Sequence, residues 1–303
     1  MRIPDAAAVK SALRYVRGVS RGVARGHIFP PEGRQRPAEA PGGSDDPPVR
    51  LNPVARARRE GGAFTAPLHT LVVPGLQAPV EILQLSDVHL RGDDAWLASL
   101  CEHVARQRPD LICLTGDVVA REWRPEAVDR FLAALPPARL GRYAIMGNWE
   151  YWAKASVEIW RPTLARHGVE LLVDAWTDLG PICLAGTDDY LAGQPDLGRT
   201  VGALPHGRPS VVLTHSPGLF PRLVRPDVAL VLAGHSHAGQ LRVPGLGSFW
   251  VPKGTGPYVA GWYRERDTWL YVSRGVGWSI APVRMWCPPE LARIRLVPSG
   301  AAG

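Results

Sequence analysis

Four short apolar runs, each ending at residues that can bind a metal ion, constrain the fold of this chain more than any other feature. The runs are "EILQLSDVHL", "LICLTGD", "SVVLTHSP" and "VALVLAGHSHAG", and they end at Asp87 and His89, at Asp117, at His215, and at His235 and His237. Apolar runs of this length, bounded by turn residues, are typical of buried β-strands. The pattern predicts a sheet protein whose polar groups collect at strand ends.

The segments between the first strands predict an α/β arrangement. Leu97, Leu100 and Val104 keep the 3.6-residue period of a helix, and Pro109 ends it. A second predicted helix, "RPEAVDRFLAAL", leads to a predicted strand, "GRYAIMGNWE", which delivers Asn148 just beyond a glycine. Ligands gather at the carboxyl ends of the strands in open α/β sheets. We therefore expect the polar strand-end residues to lie on one rim.

The residue types at these strand ends predict a metal site. A strand alternates its faces, so Asp87 and His89 are expected to converge, and so are His235 and His237. Each piece alone also fits a turn or a structural histidine. Burying all of these polar groups together is costly unless a cation organises them. Imidazole, carboxylate and amide ligands without thiolate suit Mn, Fe, Zn or Co, and their number predicts two ions that share one carboxylate.

The order Asp-x-His, Gly-Asp, Gly-Asn, His, Gly-His-x-His resembles the calcineurin-like metallophosphoesterase superfamily across residues 80–237. The segments "GTGPYVAGWY" and "YVSRGVGWSIAPVRMWCPPELARIRL" are similar to a branch that contains bacterial membrane-associated phosphoesterases and a UDP-diacylglucosamine hydrolase. The resemblance implies an α/β (α+β) fold: a four-layer αββα sandwich of two mixed β-sheets flanked by helices.

The resemblance also implies a dinuclear centre with two divalent or trivalent ions, Mn, Fe or Zn. One ion would be held by Asp87, His89 and His237, the other by Asn148, His215 and His235, with Asp117 as the bridge. Asp117, Asn148 and His215 are the catalytic candidates. The implied reaction is cleavage of a phosphodiester or pyrophosphate bond by metal-activated hydroxide, on a lipid-linked or nucleotide-sugar substrate. The alternative is a catalytically weak metal-binding scaffold or regulatory module on the same fold.

Two positions depart from the superfamily pattern. Many members have a histidine after the Gly-Asn motif and an aspartate three residues after the Gly-Asp aspartate, and the two protonate or stabilise the leaving oxygen. This chain has Trp149 and Ala120 there. The paired absence favours a pyrophosphate or an activated diester, since a leaving phosphate needs little protonation. Alternatively, Trp149 only packs, and His103 or His167 donates the proton.

Three residues are candidates for substrate binding. Arg91 and Arg274 follow motif segments, and guanidinium groups bind phosphate oxygens in a bidentate manner. Trp149 lies next to a predicted ligand and is the third candidate. For each arginine the alternative is an ion pair at the surface.

The chain divides into a basic amphipathic N-terminal segment (1–28), a Pro/Gly-rich linker (29–60) and a metallophosphoesterase domain (61–303). Residues 7–25 predict a helix whose arginines could contact an anionic membrane, or a short helix that docks on its own domain. Of the 35 Lys and Arg, twelve lie in residues 1–60, and the remainder of the chain is nearly neutral. No nucleic-acid partner is therefore expected.

The four cysteines are far apart and predict neither a disulfide framework nor a zinc knuckle. The first 30 residues lack the apolar core of a signal peptide. We expect a cytoplasmic protein that binds peripherally to the cytoplasmic face of the membrane.

Overall fold

Two six-stranded mixed sheets form the centre of the molecule in a computed structural model, which describes residues 63–300 except 93, 244–246, 249 and 280–282. The predicted N-terminal helix and the linker lie outside the described residues. In spatial order the first sheet consists of β1 (Leu68–Val73), β14 (Ala292–Pro298), β2 (Val80–Leu85), β3 (Leu111–Leu114), β4 (Arg142–Ala144) and β5 (Glu170–Leu171). Strand β14 runs parallel to β1 and antiparallel to β2, and β2 to β5 are parallel to one another.

The second sheet has the same mixed character. In spatial order it consists of β12 (Gly261–Glu265), β13 (Thr268–Val272), β9 (Val228–Ala233), β8 (Ser210–Leu213), β7 (Cys183–Gly186) and β6 (Ala175–Asp178). Its outer strands β12 and β6 pair antiparallel with their neighbours, and the four inner strands are parallel. A small ribbon of β10 (Arg242–Val243) and β11 (Gly247–Ser248) stands apart from both sheets.

The helices lie outside the two sheets, in the segments that connect the strands. They are α1 (Asp94–Ala105), α2 (Pro125–Ala133), α3 (Asn148–Trp152) and α4 (Val157–Ala165), with 3₁₀ turns at Val201–Ala203, Pro217–Arg222 and His237–Gly239. The predicted helix between the first two strands is confirmed. None of the helices within the described residues has the length and apolar character that a membrane span requires.

Three apolar clusters hold these layers together. Strand β2 shows how: Leu83 and Leu85 face the cluster beneath α1, α2 and α4, whereas Ile82 faces the cluster between the two sheets. Alternate residues of one strand therefore serve two cores, which is why inner strands such as β3 and β9 are apolar throughout rather than alternately polar. On the outer face of the second sheet, Val231 packs with Phe220 of a 3₁₀ turn.

The predicted four-layer sandwich is confirmed, with one difference in its outer layers. Helices α1, α2 and α4 cover the first sheet, while in the described residues the second sheet is covered by the 3₁₀ turns Val201–Ala203 and Pro217–Arg222 and their loops. All four cysteines are free, as expected.

Candidate metal centre

The predicted ligands lie in the loops that follow the parallel strands. Strand β2 ends at Leu85, so Asp87 and His89 do not share a strand face, and they converge through a loop instead. Left-handed backbone occurs at five of the seven predicted ligands: Asp87 (φ 55°), His89 (φ 50°), Asp117 (φ 54°), His235 (φ 65°) and His237 (φ 50°). Such backbone is unfavourable for residues with a side chain and collects at functional sites, where the surroundings hold it in place.

The first group of converging side chains consists of Asp87, His89 and His237, all buried. The Nε2 atoms of His89 and His237 are 3.0 Å apart, and their rings stack with centroids 4.9 Å apart. His237 Nε2 is 3.3 Å from Asp87 Oδ1. Three atoms with lone pairs therefore point at one small volume.

The second group consists of Asp117, His215 and His235, also buried. His215 Nε2 lies 3.1 Å from Asp117 Oδ2 and 3.3 Å from His235 Nδ1. The same Asp117 oxygen is 3.8 Å from His89 Nε2 in the first group. Asp117 thus stands between the two groups, in the place of a bridging carboxylate.

Asn148 begins α3 beside the second group. The amide N–H of the next residue, Trp149, donates to Asp117 Oδ1 at 2.8 Å. Asn148 is 1% exposed, and its side-chain Oδ1 has no hydrogen-bond partner among the described residues. Buried amide oxygens are almost always satisfied, so this oxygen fits the role of a metal ligand.

Main-chain carbonyl groups fix which histidine nitrogen is available in the second group. His215 Nδ1 lies 2.8 Å from the carbonyl oxygen of Thr115, and His235 Nε2 lies 2.7 Å from that of Lys253. Each of these nitrogens must carry a hydrogen to donate, which leaves His215 Nε2 and His235 Nδ1 as electron-pair donors. These two donors face each other and Asp117. The residues present therefore fit a cation.

The pKa shifts agree with this assignment. Burial lowers the pKa of His89 and His237 well below that of free imidazole, and burial together with the charge of His215 lowers that of His235 to about 3. Burial raises the pKa of Asp117 to about 7. Burial also lowers the pKa of His215, but the charge of Asp117 outweighs this effect and raises it well above its ordinary value. The space between Asp117 and His215 therefore favours a positive charge, which a metal ion supplies in place of a proton.

Glycines allow the ligand loops to approach one another. A Cβ atom on Gly147 would collide with Asp117, and one on Gly234 would collide with Ser86 and Asp87. Gly277 packs against the Val88 carbonyl in the same way. These three glycines therefore have a packing reason, since a side chain would not fit at any of them.

The sequence patterns did not identify Glu150, which is fully buried beneath the centre. One carboxylate oxygen accepts hydrogen bonds from the amides of Val118 and Val119, and the other accepts from those of Asp117 and Gly147. These bonds hold the loop after β3 in the conformation that presents Asp117. The sequence signal that could have identified Glu150 is its place in the first turn of the helix that begins at Asn148, where a glutamate often caps the helix.

Arg284, also not predicted, is 1% exposed and lies behind the first group. Its Nε donates to the Gly277 carbonyl at 2.8 Å, its Nη1 donates to the Arg274 carbonyl at 2.9 Å, and its Nη2 is 3.4 Å from His237 Nδ1. It ties the loop after β13 to His237, a predicted metal ligand. A buried arginine in an apolar segment carries no short-range sequence signal.

The predicted substrate contacts occupy different surroundings. The Trp149 indole meets the His89 ring edge-on at 5.6 Å and lies 5.6 Å from Trp152, which is 39% exposed. The Arg91 guanidinium donates to the carbonyls of Trp278 and Ser279. Their phosphate-binding roles stay predictions.

The second arginine candidate, Arg274, forms an ion pair with buried Glu290 at 3.2 Å. Its phosphate-binding role likewise stays a prediction.

The two alternative proton donors lie away from the centre. His103 is in the last turn of α1 with its Nδ1 2.8 Å from the Ser99 carbonyl, and His167 follows α4 with its Nε2 2.8 Å from Asp129. Both precede the amino ends of strands, whereas the ligands follow the carboxyl ends. Neither ring is therefore placed to protonate a leaving group at the metal centre.

Comparison with known proteins shows the family to which this chain belongs. The family model described as calcineurin-like phosphoesterase matches residues 80–239. The uncharacterized metallophosphoesterase YkuE of Bacillus subtilis is 29% identical over 226 residues, which cover 70% of this chain and 77% of that relative. The phosphodiesterase YaeI of Escherichia coli is 31% identical over 230 residues, which cover 73% of this chain and 83% of that relative.

A transmembrane protein with a metallophosphoesterase domain from Danio rerio is 30% identical over 241 residues, which cover 72% of this chain and 53% of that relative. The chain therefore spans about half the length of that longer protein. The family match takes in every ligand of both groups, from Asp87 to His237. This chain thus belongs to the calcineurin-like phosphoesterase family and is a metal-dependent phosphoesterase.

Proposed function

We propose that this protein hydrolyses a phosphodiester or pyrophosphate bond with the aid of two metal ions. The observation that carries the proposal is the position of Asp117 Oδ2, which is 3.1 Å from His215 Nε2 and 3.8 Å from His89 Nε2. One carboxylate oxygen is thus within reach of both ligand groups. A single mononuclear site would not need a carboxylate in this position.

The ligand assignment follows the two groups. Asp87, His89 and His237 would hold one ion, Asn148, His215 and His235 would hold the other, and Asp117 would be shared. Two bound cations supply a nucleophile derived from water at neutral pH and neutralise charge on the phosphoryl oxygens. The protein presents the ligands in fixed orientation, through the carbonyls of Thr115 and Lys253 and the carboxylate of Glu150.

The surroundings of Trp149 support the choice of bond. Its indole packs against His89, so the position that holds an acid in many relatives is filled by an apolar ring. Ala120 is buried and offers no proton either. An alkoxide is a poor leaving group without an acid, whereas a phosphate leaves as a weak base. A pyrophosphate or an activated diester is therefore the substrate class that suits these side chains.

A substrate panel with Mn²⁺-loaded protein tests the function. We expect turnover of bis(p-nitrophenyl) phosphate and of a nucleotide-sugar diphosphate, and little turnover of an alkyl phosphomonoester. Faster turnover of the monoester would contradict the choice of bond. Asp117→Asn should lower kcat/KM by about 10³-fold, because it weakens the ligand common to both ions. A metal-loaded wild-type protein that hydrolyses no phosphoester would favour the scaffold alternative.

We further propose that residues 7–25 bring the protein to an anionic membrane surface and give it access to a lipid-linked substrate. The support is the segregation of Val and Leu from Lys and Arg in that segment. Deletion of residues 1–28 should abolish sedimentation with anionic vesicles and leave turnover of bis(p-nitrophenyl) phosphate unchanged. Sedimentation of the shortened protein with the same vesicles would refute this role.

A further inference from the structure

Lys253 is an exposed lysine whose backbone contacts the second ligand group. Its main-chain carbonyl accepts the hydrogen bond from His235 Nε2 at 2.7 Å, so its backbone touches a metal-binding side chain. Its own side chain is exposed. One residue therefore fixes the tautomer of His235 and projects an ammonium group outward on a four-carbon stem.

The loop that carries Lys253 is held rigidly. The Gly218 amide donates to the Gly254 carbonyl at 2.8 Å, and a Cβ on Gly218 would collide with that carbonyl. Gly254 itself has φ +97°, which a residue with a side chain would adopt only under strain. Because Gly218 lies in the 3₁₀ turn after His215, the Lys253 backbone is fixed relative to two of the ligands.

Three arginines in the loops around the first ligand group differ from Lys253 in having protein partners. Arg284 donates to main-chain carbonyls, Arg274 pairs with Glu290, and Arg91 donates to Trp278 and Ser279. For Lys253, no carboxylate of the described residues forms an ion pair with the ammonium group. A substrate anion can therefore meet this cation without displacing an existing contact.

The chemistry of the pyrophosphate bond indicates which substrate anion Lys253 would bind. In pyrophosphate hydrolysis, water oxygen bonds to one phosphorus and the bond from that phosphorus to the bridging oxygen breaks. The bridging oxygen keeps the electron pair and leaves as part of a phosphate, and the water releases a proton to solvent. Trp149 and Ala120 cannot protonate that phosphate, so a positive charge beside it would stabilise the leaving group in addition to the two cations.

We propose that Lys253 binds the second phosphoryl group of a pyrophosphate substrate, the group that is not attacked. This role rests on the proposed phosphohydrolase function and narrows it to substrates with two linked phosphates. A diester with a single phosphate has no group for Lys253 to bind.

The variant Lys253→Gln tests this role in the full-length Mn²⁺-loaded protein. Its main-chain carbonyl remains, so metal content should equal that of the wild type. We expect kcat/KM for UDP-glucose to fall at least tenfold and kcat/KM for bis(p-nitrophenyl) phosphate to change less than twofold. Lys253→Arg should retain most of the UDP-glucose activity, because it keeps the charge.

A matched control is Arg106→Gln, which removes one positive charge from a 70% exposed side chain just beyond the carboxyl end of α1. It should leave both activities unchanged. Binding is measured separately by calorimetry with ADP and AMP, which differ by one phosphate. Lys253→Gln should weaken ADP binding at least fivefold and AMP binding less than twofold.

The possible failures are distinguishable. If the wild type hydrolyses neither substrate, the proposed function fails, and the calorimetry still judges Lys253. If Lys253→Gln lowers both activities equally, or weakens ADP and AMP binding equally, Lys253 does not recognise a second phosphate. Unchanged activity on UDP-glucose, where the wild type is active, also overturns the role.

Discussion

At the scale of the residue, short-range spacing predicted which side chains lie together but not the interactions that hold them. Asp87, His89 and His237 were expected near one another, and the structure brings them together. Their left-handed backbone was not predictable, because it depends on partners distant in sequence. Glu150 makes this clear for Asp117, since it bonds to amides more than 25 residues away in the chain.

Replacing the Glu150 carboxylate by an amide should show how much it contributes to the stability of the protein. In Glu150→Gln one carboxylate oxygen becomes an NH₂ group. This group is a donor, so it cannot accept the hydrogen bonds of the two amide N–H groups that face it. We expect the free energy of unfolding to fall by about 3 kcal/mol, since bonds to a charged acceptor are lost and buried donors are left unsatisfied. Urea denaturation of the metal-free protein measures this, without any contribution from bound ions.

The matched control for this change is Glu102→Gln on α1, where the glutamate is 67% exposed and pairs with Arg106. It should cost less than about 0.5 kcal/mol. Equal stability of the two variants would mean that the Glu150 carboxylate does not hold the loop that presents Asp117.

At the scale of the element, periodicity predicted the helices and strands of the first half well, and it failed where a turn imposes the structure. The predicted strand "GRYAIMGNWE" ends at Ala144, and helix α3 begins at Asn148. Gly147 and Glu150 cap that helix, and a window on apolar periodicity misses such a short element. The position of β14 between β1 and β2 was equally hidden, because it pairs residues more than 200 positions apart.

Arg284 joins two loops into one support for the first ligand group. We expect Arg284→Lys to lower metal affinity about tenfold and the free energy of unfolding by about 2 kcal/mol. Lysine keeps the charge but cannot donate in a planar fork to the carbonyls of Gly277 and Arg274. Calorimetric titration with Mn²⁺ and urea denaturation measure the two effects.

A matched control is Arg295→Lys on β14, where the arginine is 46% exposed and pairs with Glu81. Its effect on stability should be within about 0.5 kcal/mol. Wild-type metal affinity in Arg284→Lys would show that the contact with His237 does not orient that ligand.

At the scale of the whole molecule, the ligands come from both sheets. The loops after β2, β3 and β4 supply Asp87, His89, Asp117 and Asn148, whereas those after β8 and β9 supply His215, His235 and His237. Because ligands gather at the carboxyl ends of strands, the strand-end pattern predicted that the two sets meet. It did not predict that they come from two different sheets, because this depends on how one sheet packs on the other, and only the resemblance to a family implied it.

Bound metal should therefore join the two sheets and raise the stability of the whole domain. A ligand at about 100 times its Kd stabilises a protein by about 2.7 kcal/mol per site. We expect Mn²⁺ to raise the Tm of chelator-treated protein by at least about 5 °C in differential scanning calorimetry.

Asp117→Asn should lose most of this rise, because it affects both ions. Asp178→Asn, which removes a carboxylate 50% exposed on β6, should retain it. Because one apolar cluster packs between the two sheets, unfolding should remain a single transition with and without metal. A Tm that does not respond to Mn²⁺, or one that rises equally in Asp117→Asn, would contradict a metal centre that spans both sheets.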